Sequence, residues 1–329
     1  MERREFITLL GGAAAAWPLT ARAQQPNRIA RIGYVSGTGS AADPGPFVEV
    51  LRQGMREHGY VDGKDFSIEY RGAEGRQARV PELVAELMQA KVDILVTPIP
   101  NAISAAKQAT LTIPIVMVTS IDPVASGIID SLAKPGGNIT GVSMLTRDLS
   151  AKRLEFLKAV VPKLARVGIV VDAGEPVAAI GYRDYEAPAR ALQIELRSLE
   201  VRGPNPDLDA AIRGALEWRA EALIIITSSL LFPQRKAIAD LALKKRLPTA
   251  YHGSDWVVAG GLMSYSADDR AAFRRVAYYI DRILKGARPS DLPVEQPSKF
   301  RLVINQKTAK ALGLFIPLEL LAFADEVID

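Results

Sequence analysis

The sequence predicts an α/β fold made of two doubly wound, parallel-sheet lobes that are joined by a hinge of several segments. Short runs of branched apolar residues, such as residues 113–118 and Arg166–Asp172, suit strands that are buried on both faces. Segments with apolar residues at helical spacing, such as residues 47–58, separate these runs. The alternation begins again after Met144, which indicates two lobes of similar architecture within 329 residues.

The elements of the first lobe alternate between strand and helix, as in a parallel sheet. Asp122 should cap its last helix, because Pro123 suits a first helical turn and Asp suits the position before it. We predict strands at residues 31–36, 66–71, 92–97 and 113–118 and from Ile139 onward, with helices at residues 47–58, 79–90, 102–109 and 123–134.

The second lobe repeats this pattern without visible sequence repetition. We predict strands at residues 166–172, 194–201, 222–227, 248–251 and 300–304, an extended segment at 260–265, and helices at residues 150–161, 185–192, 208–219, 233–245, 270–285 and 306–313. The late segments are long for either lobe alone, so the chain should cross between the lobes more than once. We assign residues 28–146 and 265–289 to the first lobe and residues 147–264 and 290–329 to the second.

The first 23 residues have the composition of a cleavable export signal. Arg3 and Arg4 precede an apolar stretch and a run of small residues, and Ala21-Arg22-Ala23 fits a cleavage site. Paired arginines are typical of twin-arginine export, although a general secretory signal can begin in the same way. We expect cleavage after Ala23 and a soluble mature protein in a bacterial periplasm.

The composition excludes several kinds of site. The chain has no cysteine, and its two histidines, His58 and His252, lack the spacing of metal ligands, so we expect no disulfide, no cysteine-linked lipid and no metal site. A dispersed net charge of +4 does not indicate nucleic-acid binding. The sequence has no nucleophile elbow, no P-loop and no H-E-x-x-H motif, so no catalytic machinery stands out.

A glycine-rich loop after the first strand imitates a dinucleotide-binding motif. Gly37, Gly39 and Ala42 match the pattern G-x-G-x-x-G/A. Asp43-Pro44-Gly45-Pro46 then breaks the chain where the phosphate-binding helix should already be under way. We prefer a loop that lines some other cleft and expect no resident cofactor, and an exported dinucleotide-dependent oxidoreductase stays as an alternative.

Polar residues follow the strands of both lobes. Ligands bind outside the carboxyl ends of parallel strands, so lobes that face each other by those ends would form one polar cleft. Free amides and helix N-termini would hold a carboxylate, and Asp122, Asp172 or Asp255 would hold an ammonium group. Each single residue is equally compatible with an ordinary cap or turn. The candidate ligand-binding residues are Ser36, Thr38, Gly39, Thr97, Asn101, Ser120, Asp122, Asp172, Glu175, Thr227, Ser228, Tyr251 and Asp255.

Several stretches carry a resemblance to a known family. They include residues 47–70, residues 106–119, P-G-G-N-I-T-G-V-S at 135–143, A-G-G-L-M-S-Y at 259–265, and the tail with L-P-V-E-Q-P at 292–297. Together they cover nearly the whole mature chain. They resemble the ABC-type substrate-binding proteins of the tryptophan/tyrosine type, which have the type I periplasmic binding fold.

This resemblance implies capture of a solute without chemistry. The lobes close on the ligand, and a membrane permease with a cytoplasmic ATPase reads the closed form. The crossings between lobes should fall near residues 144–148, 260–265 and 290–293. We therefore expect a monomeric periplasmic component of an ABC importer that binds a small amino-acid-like or aromatic-acid ligand. A sensor module that delivers a solute to a receptor kinase is a further alternative.

Three loops that should face the ligand depart from the family pattern. Pro98-Ile99-Pro100-Asn101 stands where a Gly/Thr-rich turn is usual. Asp172-Ala173-Gly174-Glu175 replaces Asn-Pro-Asn, and Ser228-Ser229 replaces an acid-Pro pair. With fewer free amides and an added acid, an aromatic amino acid becomes a poorer fit, while the predicted fold is unaffected.

Overall fold

The first lobe is built on a five-stranded parallel sheet with the order β2-β1-β3-β4-β5. The computed structural model describes residues 28–144, 147–175, 178–203 and 205–329, so the predicted export signal lies outside the described residues. The strands are β1 (Ala30–Ser36), β2 (Phe66–Gly72), β3 (Ile94–Thr97), β4 (Ile115–Thr119) and β5 (Ile139–Ser143). The helices between them are α1 (Pro46–Glu57), α2 (Val80–Gln89) and α3 (Pro100–Ala109).

The second lobe is built on a seven-stranded sheet with the order β12-β11-β10-β9-β8-β6-β7. All neighbours pair in parallel except β10 and β11, which are antiparallel. The strands are β6 (Arg166–Asp172), β7 (Glu195–Val201), β8 (Ala222–Ile225), β9 (Thr249–Tyr251), β10 (Met263–Ala267), β11 (Phe300–Asn305) and β12 (Glu326–Ile328). The helices of this lobe are α4 (Arg147–Val160), α5 (Ala178–Ala191), α6 (Leu208–Glu217), α7 (Arg235–Lys244), α8 (Ser254–Val258), α10 (Gln306–Leu312) and α11 (Leu318–Phe323). Helix α9 (Asp269–Leu284) lies between α8 and α10 in sequence but packs on the first lobe.

Helices cover both faces of each sheet, so the prediction of two doubly wound lobes is confirmed. In the first lobe, Leu51 of α1 and Val276 of α9 lie in the core on one face, and Leu87 of α2 lies in the core on the other. In the second lobe, Leu157 of α4 and Ile238 of α7 lie on opposite faces in the same way. Strands enclosed on both sides need continuous apolar sequence, which is why β4 and β8 are buried throughout. Within the described ranges, no helix is long and apolar enough to cross a membrane.

The chain crosses between the lobes after β5, after β10 and before β11. The first crossing falls between β5 and α4, and residues 145 and 146 within it lie outside the described part of the chain. The second falls later than expected, because all of β10 pairs with β9 and β11 in the second sheet. The third also falls later: the Oγ1 of Thr140 donates to the carbonyl of Leu292, and Glu295 pairs with Val142 of β5. Residues 265–267 therefore lie with the second lobe and residues 290–295 with the first.

The predicted helix at residues 123–134 is wrong. The Oδ1 of Asp122 accepts the amides of Val124 and Ala125, both at 3.0 Å, so the predicted cap forms. Gly127 then takes a left-handed φ of 67°, which breaks the helical path. Ile128 and Ile129 bury their side chains in the core of the first lobe, and the segment reaches β5 through turns. The short elements α8, α11 and β12 were not predicted from the sequence.

The contact between α1 and α9 leaves no room for a side chain at Gly54. A methyl group there would lie 2.7 Å from the Cβ of Ala277 on α9. At Gly214 on α6, the same methyl group would meet only Leu199, at 3.9 Å. We expect Gly214→Ala to raise the free energy of unfolding by about 0.5–1 kcal/mol through helix propensity. Gly54→Ala should lower it by about 1–3 kcal/mol through overpacking. Urea unfolding of both variants checks this, and a stabilised Gly54→Ala protein would contradict the packing.

Candidate ligand-binding cavity between the lobes

The carboxyl ends of the strands in the two sheets face each other across one cavity of about 750 Å³. This volume lies within the range of roughly 300–1,000 Å³ that is usual for small-molecule sites. Loops of both lobes line the cavity, as expected from the common direction of parallel strands. Of the predicted residues, those that line it are Ser36, Thr38, Gly39, Ser120, Asp122, Glu175, Thr227, Ser228 and Asp255.

Four predicted site residues are not part of the cavity wall. Thr97 and Tyr251 end β3 and β9, but both side chains are fully buried, and Tyr251 stacks on Trp256 at 4.9 Å. Asp172 is also buried, and its Oδ1 accepts the amide of Gly174 at 2.9 Å, so it shapes the loop after β6. Asn101 donates to the Oε1 of Gln77 at 3.5 Å and lies beside the cavity rather than in it.

The lobes touch where the glycine-rich loop of the first lobe meets the loop after β8 of the second. A Cβ atom at Gly37 would lie 1.9 Å from the Oγ of Ser229 and 2.7 Å from its Cβ. Only glycine allows this approach, so the lobes are in a closed arrangement. The prediction that this loop lines a cleft is confirmed, and helix α1 begins only at Pro46, after the break at residues 43–46.

Aromatic rings form one wall of the cavity in each lobe. In the first lobe, Phe273 stacks on Phe47 with centroids 4.6 Å apart and on Tyr34 with centroids 6.4 Å apart. In the second lobe, Phe232 lies edge-on to Trp256 at 6.2 Å. All five rings line the cavity. Such walls suit a ligand with a flat apolar body.

Acidic groups line the second-lobe side of the cavity. Burial, together with a smaller contribution from the negative charge of nearby Asp255, raises the pKa of Asp269 to about 7. Burial raises the pKa of Glu175 to about 7, with a smaller contribution from Asp172. Within the described residues, neither carboxylate has an ion-pair partner within 4.0 Å. Both carboxylates have therefore lost hydration without gaining a cation, which is the cause of the raised pKa values.

A buried polar chain lies behind the second-lobe wall. The guanidinium of Arg153 donates to the carbonyl of Tyr265 at 2.7 Å and to the hydroxyl of Tyr185 at 3.1 Å. The hydroxyl of Tyr185 lies 2.8 Å from the Nε2 of His252, which lines the cavity. Because arginine only donates, Tyr185 accepts from Arg153, and the hydroxyl of Tyr185 links this guanidinium to the ring of His252. Burial and the charge of Arg153 hold the pKa of His252 well below its usual value, so its ring is neutral.

A model of the family "ABC transporter substrate binding protein" matches residues 45–328. The chain belongs to this family. It is a family of transport proteins, not of enzymes, so the chain is a substrate-binding protein of an ABC transporter rather than an enzyme. The family therefore favours neither the oxidoreductase nor the sensor alternative.

Relatives and solved structures agree with this assignment. The chain is 25% identical over 261 residues to a "Tyrosine-binding protein" of Clostridioides difficile (strain R20291), which covers 79% of this chain and 74% of the relative. It is 25% identical, with a TM-score of 0.82, to the ABC domain in complex with L-Trp from Streptococcus pneumonia, over 91% of this chain and all of that one. A leucine-binding protein of Thermotoga maritima, 14% identical with a TM-score of 0.55 over 79% of this chain and 77% of that one, shows the same fold. The fold is thus that of the type I periplasmic binding proteins.

Several wall residues of this substrate-binding protein were not predicted. Tyr34 and Phe47 lie within a strand and a helix, where their apolar spacing indicates only a core position. Phe273 and Asp269 belong to α9, which is distant in sequence from the other cavity loops and joins them only because the chain crosses back. Within the described part of the chain, no cluster of acidic and histidine residues could hold a metal ion.

The charge on Asp269 should make the ligand-free protein less stable as the pH rises. The pKa of Asp269 is 3.8 in the unfolded chain and about 7 in the folded protein. Between these two pH values the carboxyl is ionised mainly in the unfolded state, so the free energy of unfolding falls as the pH rises. We expect Asp269→Asn to be more stable than the parent at pH 8, on the order of 1–2 kcal/mol after allowing for water in the cavity, with no gain at pH 4. Urea unfolding at both pH values measures this. Asp240→Asn, at a surface carboxylate that pairs with Lys236, is the control. An equal effect of Asp269→Asn at both pH values would contradict the account.

The contact between Gly37 and Ser229 can be trapped, because the chain has no cysteine of its own. A Cβ atom placed at residue 37 would lie 2.7 Å from the Cβ of Ser229. Only a slight opening of the lobes is therefore needed to reach the Cβ–Cβ distance of roughly 3.5–4.5 Å that a disulfide requires. We expect the variant Gly37→Cys/Ser229→Cys to form an intramolecular disulfide under mild oxidation, detected by a mobility shift without reducing agent. The pair Gly63→Cys/Ser229→Cys, with Gly63 in the turn before β2, should not form one. Equal cross-linking of both pairs would contradict the closed arrangement.

Proposed function

We propose that this substrate-binding protein works in the periplasm as part of an ABC importer, and that it captures a small amino-acid-like ligand by closing its lobes. One observation carries the proposal: a single cavity receives the strand ends of both sheets, with three chain crossings beside it. A ligand that contacts both walls favours the closed arrangement by its affinity for both lobes at once. We expect the protein to act as a monomer that docks on a permease and its ATPase.

The periplasmic location rests on the sequence of the first residues. Arg3 and Arg4, the small-residue run and Ala21-Arg22-Ala23 have the order of an export signal. A cysteine-free chain needs no disulfide to fold, so either export route suits it. Family membership supports this location as well, because the task of such a protein is to present a solute to a membrane transporter.

The composition of the cavity supports a ligand with an amine and an apolar body. Asp255 and Asp269 would hold an ammonium group, since charge-assisted hydrogen bonds to carboxylates are strong in a closed site. The rings of Tyr34, Phe47 and Phe273 would contact the apolar body. L-Trp in one similar structure and the name of the tyrosine-binding relative are consistent with such a ligand. Between the two expected ligand classes, the acidic wall favours an amino-acid-like ligand over an aromatic acid.

A thermal-shift screen tests this function. The purified protein, dialysed free of bound solute, is heated with single amino acids, aromatic amines and aromatic acids. A ligand present at 100 times its Kd should stabilise the folded state by about 2.7 kcal/mol, which raises Tm by several degrees. Alanine at Phe273 should abolish that shift for aromatic ligands, whereas alanine at the exposed Phe315 should not. If no compound in the three classes raises Tm, the proposed ligand class is wrong.

A further inference from the structure

The described residues of the cavity wall carry more negative than positive groups. Asp43, Asp122, Glu175, Asp255 and Asp269 line the cavity, and none of them forms an ion pair within the described part of the chain. Arg235 is the one described lining residue with a fixed positive charge, and His252 is neutral. The guanidinium of Arg235 lies 4.6 Å over the ring of Phe232 and donates to the carbonyl of Phe232 at 3.0 Å, so it is already engaged.

Asp255 and Asp269 lie close enough together for the charge of one to act on the other. Each lies in the first turn of its helix, α8 or α9, and each has no side-chain hydrogen bond within the described residues. They border a recess that also contains the ring of Phe47. The other charged groups around this pair are Asp268, which caps α9, Arg153 behind the wall, Arg270 at the surface, and Arg301, which pairs with Glu326.

Prolines reduce the number of backbone N–H groups that the described wall offers to a carboxylate. Backbone amides at helix N-termini are the usual partners of an anionic ligand group. Here prolines stand at or within two residues of the starts of α1, α3 and α7, and proline has no N–H to donate. Helices α8 and α9 begin without a proline, but they carry Asp255 and Asp269 in their first turns. The prolines that line the cavity are Pro44, Pro46, Pro98, Pro100 and Pro233. An α-carboxylate would therefore meet the carboxylates of Asp255 and Asp269 on one side, and on the other side loops in which prolines take the place of some backbone N–H donors.

A cation gains from the same wall. It would neutralise the pair Asp255 and Asp269, and its apolar body would lie against Phe47, Tyr34 and Phe273, whose ring faces attract positive charge. We infer, building on the proposed function, that the ligand carries a net positive charge: a flat organic amine without a free carboxylate to offset its ammonium group. The two partly buried carboxylates then select a cationic ligand, and this role accounts for the free-energy cost of burying them.

A charge-matched ligand series tests this inference. Tryptamine, L-tryptophan and indole-3-acetate share one ring and differ in net charge from +1 to 0 to −1. Isothermal titration of the dialysed protein should give tryptamine a Kd about tenfold or more below that of L-tryptophan, because the acidic wall repels the added carboxylate of L-tryptophan. Indole-3-acetate should not bind, because it carries this carboxylate and lacks the ammonium group. Tyramine, L-tyrosine and 4-hydroxyphenylacetate should follow the same order.

The pH dependence of tryptamine affinity, measured in the parent and in two variants, identifies the carboxylates that bind the ammonium group. A cation favours the ionised form of Asp269, so binding releases a proton, and affinity for tryptamine should rise about tenfold from pH 6 to pH 8 for a group of pKa about 7. Asp269→Asn should weaken binding and flatten this slope, and Asp255→Asn should weaken binding. Asp240→Asn, at the surface, should bind as the parent does. Circular dichroism confirms that the variants are folded.

The outcomes separate this inference from the proposed function. If the protein prefers tryptamine, and if Asp269→Asn removes the pH dependence of tryptamine affinity, both the inference and the proposed function are supported. If L-tryptophan binds as tightly as tryptamine, or if Asp269→Asn leaves amine affinity unchanged, the inference is overturned while the proposed function survives. If indole-3-acetate binds as tightly as tryptamine, the inference and the proposed class of amine-bearing ligand are both overturned. If no member of either series binds, both the proposed ligand class and this inference are overturned.

Discussion

The common direction of the strands is the constraint on which the rest of this structure depends. Because nearly all strands in both sheets are parallel, each sheet delivers its loops to one edge, and the chain crossings bring these two edges together. Residues that are far apart in sequence, such as Ser36 and Asp255, thereby line one cavity. The antiparallel pair β10–β11 is the exception that carries the chain to and from the first lobe.

Closure has an electrostatic consequence. In the arrangement where Gly37 meets Ser229, carboxylates such as Asp269 and Glu175 are partly buried, and no described side chain forms an ion pair with them. The cost of enclosing these charges falls when a positively charged solute enters. An acidic and aromatic cavity thus couples closure to the presence of a cation, and the open arrangement is favoured when the cavity is empty.

The sequence predicts the fold well because buried strands need apolar runs, and these are readable without a structure. The sequence also predicts the loops of the site, because a loop must follow each strand that the apolar runs locate. It does not predict which side chains face the ligand: Thr97 and Tyr251 end their strands yet are buried in the lobes. Phe273 and Asp269 lie on a helix that joins the first lobe only through tertiary packing. The helix predicted at 123–134 failed because Gly127 and the burial of Ile128 outweigh local helix signals.

The most direct test of this account is a crystal structure of the mature protein with tryptamine bound. The account predicts the ligand between the lobes, its nitrogen within hydrogen-bonding distance of Asp255 or Asp269, and its ring against Phe47 or Phe273. Gly37 should remain in contact with Ser229, as in the arrangement described above. A ligand bound outside the cavity, or one whose ammonium group points away from both carboxylates, would contradict the account.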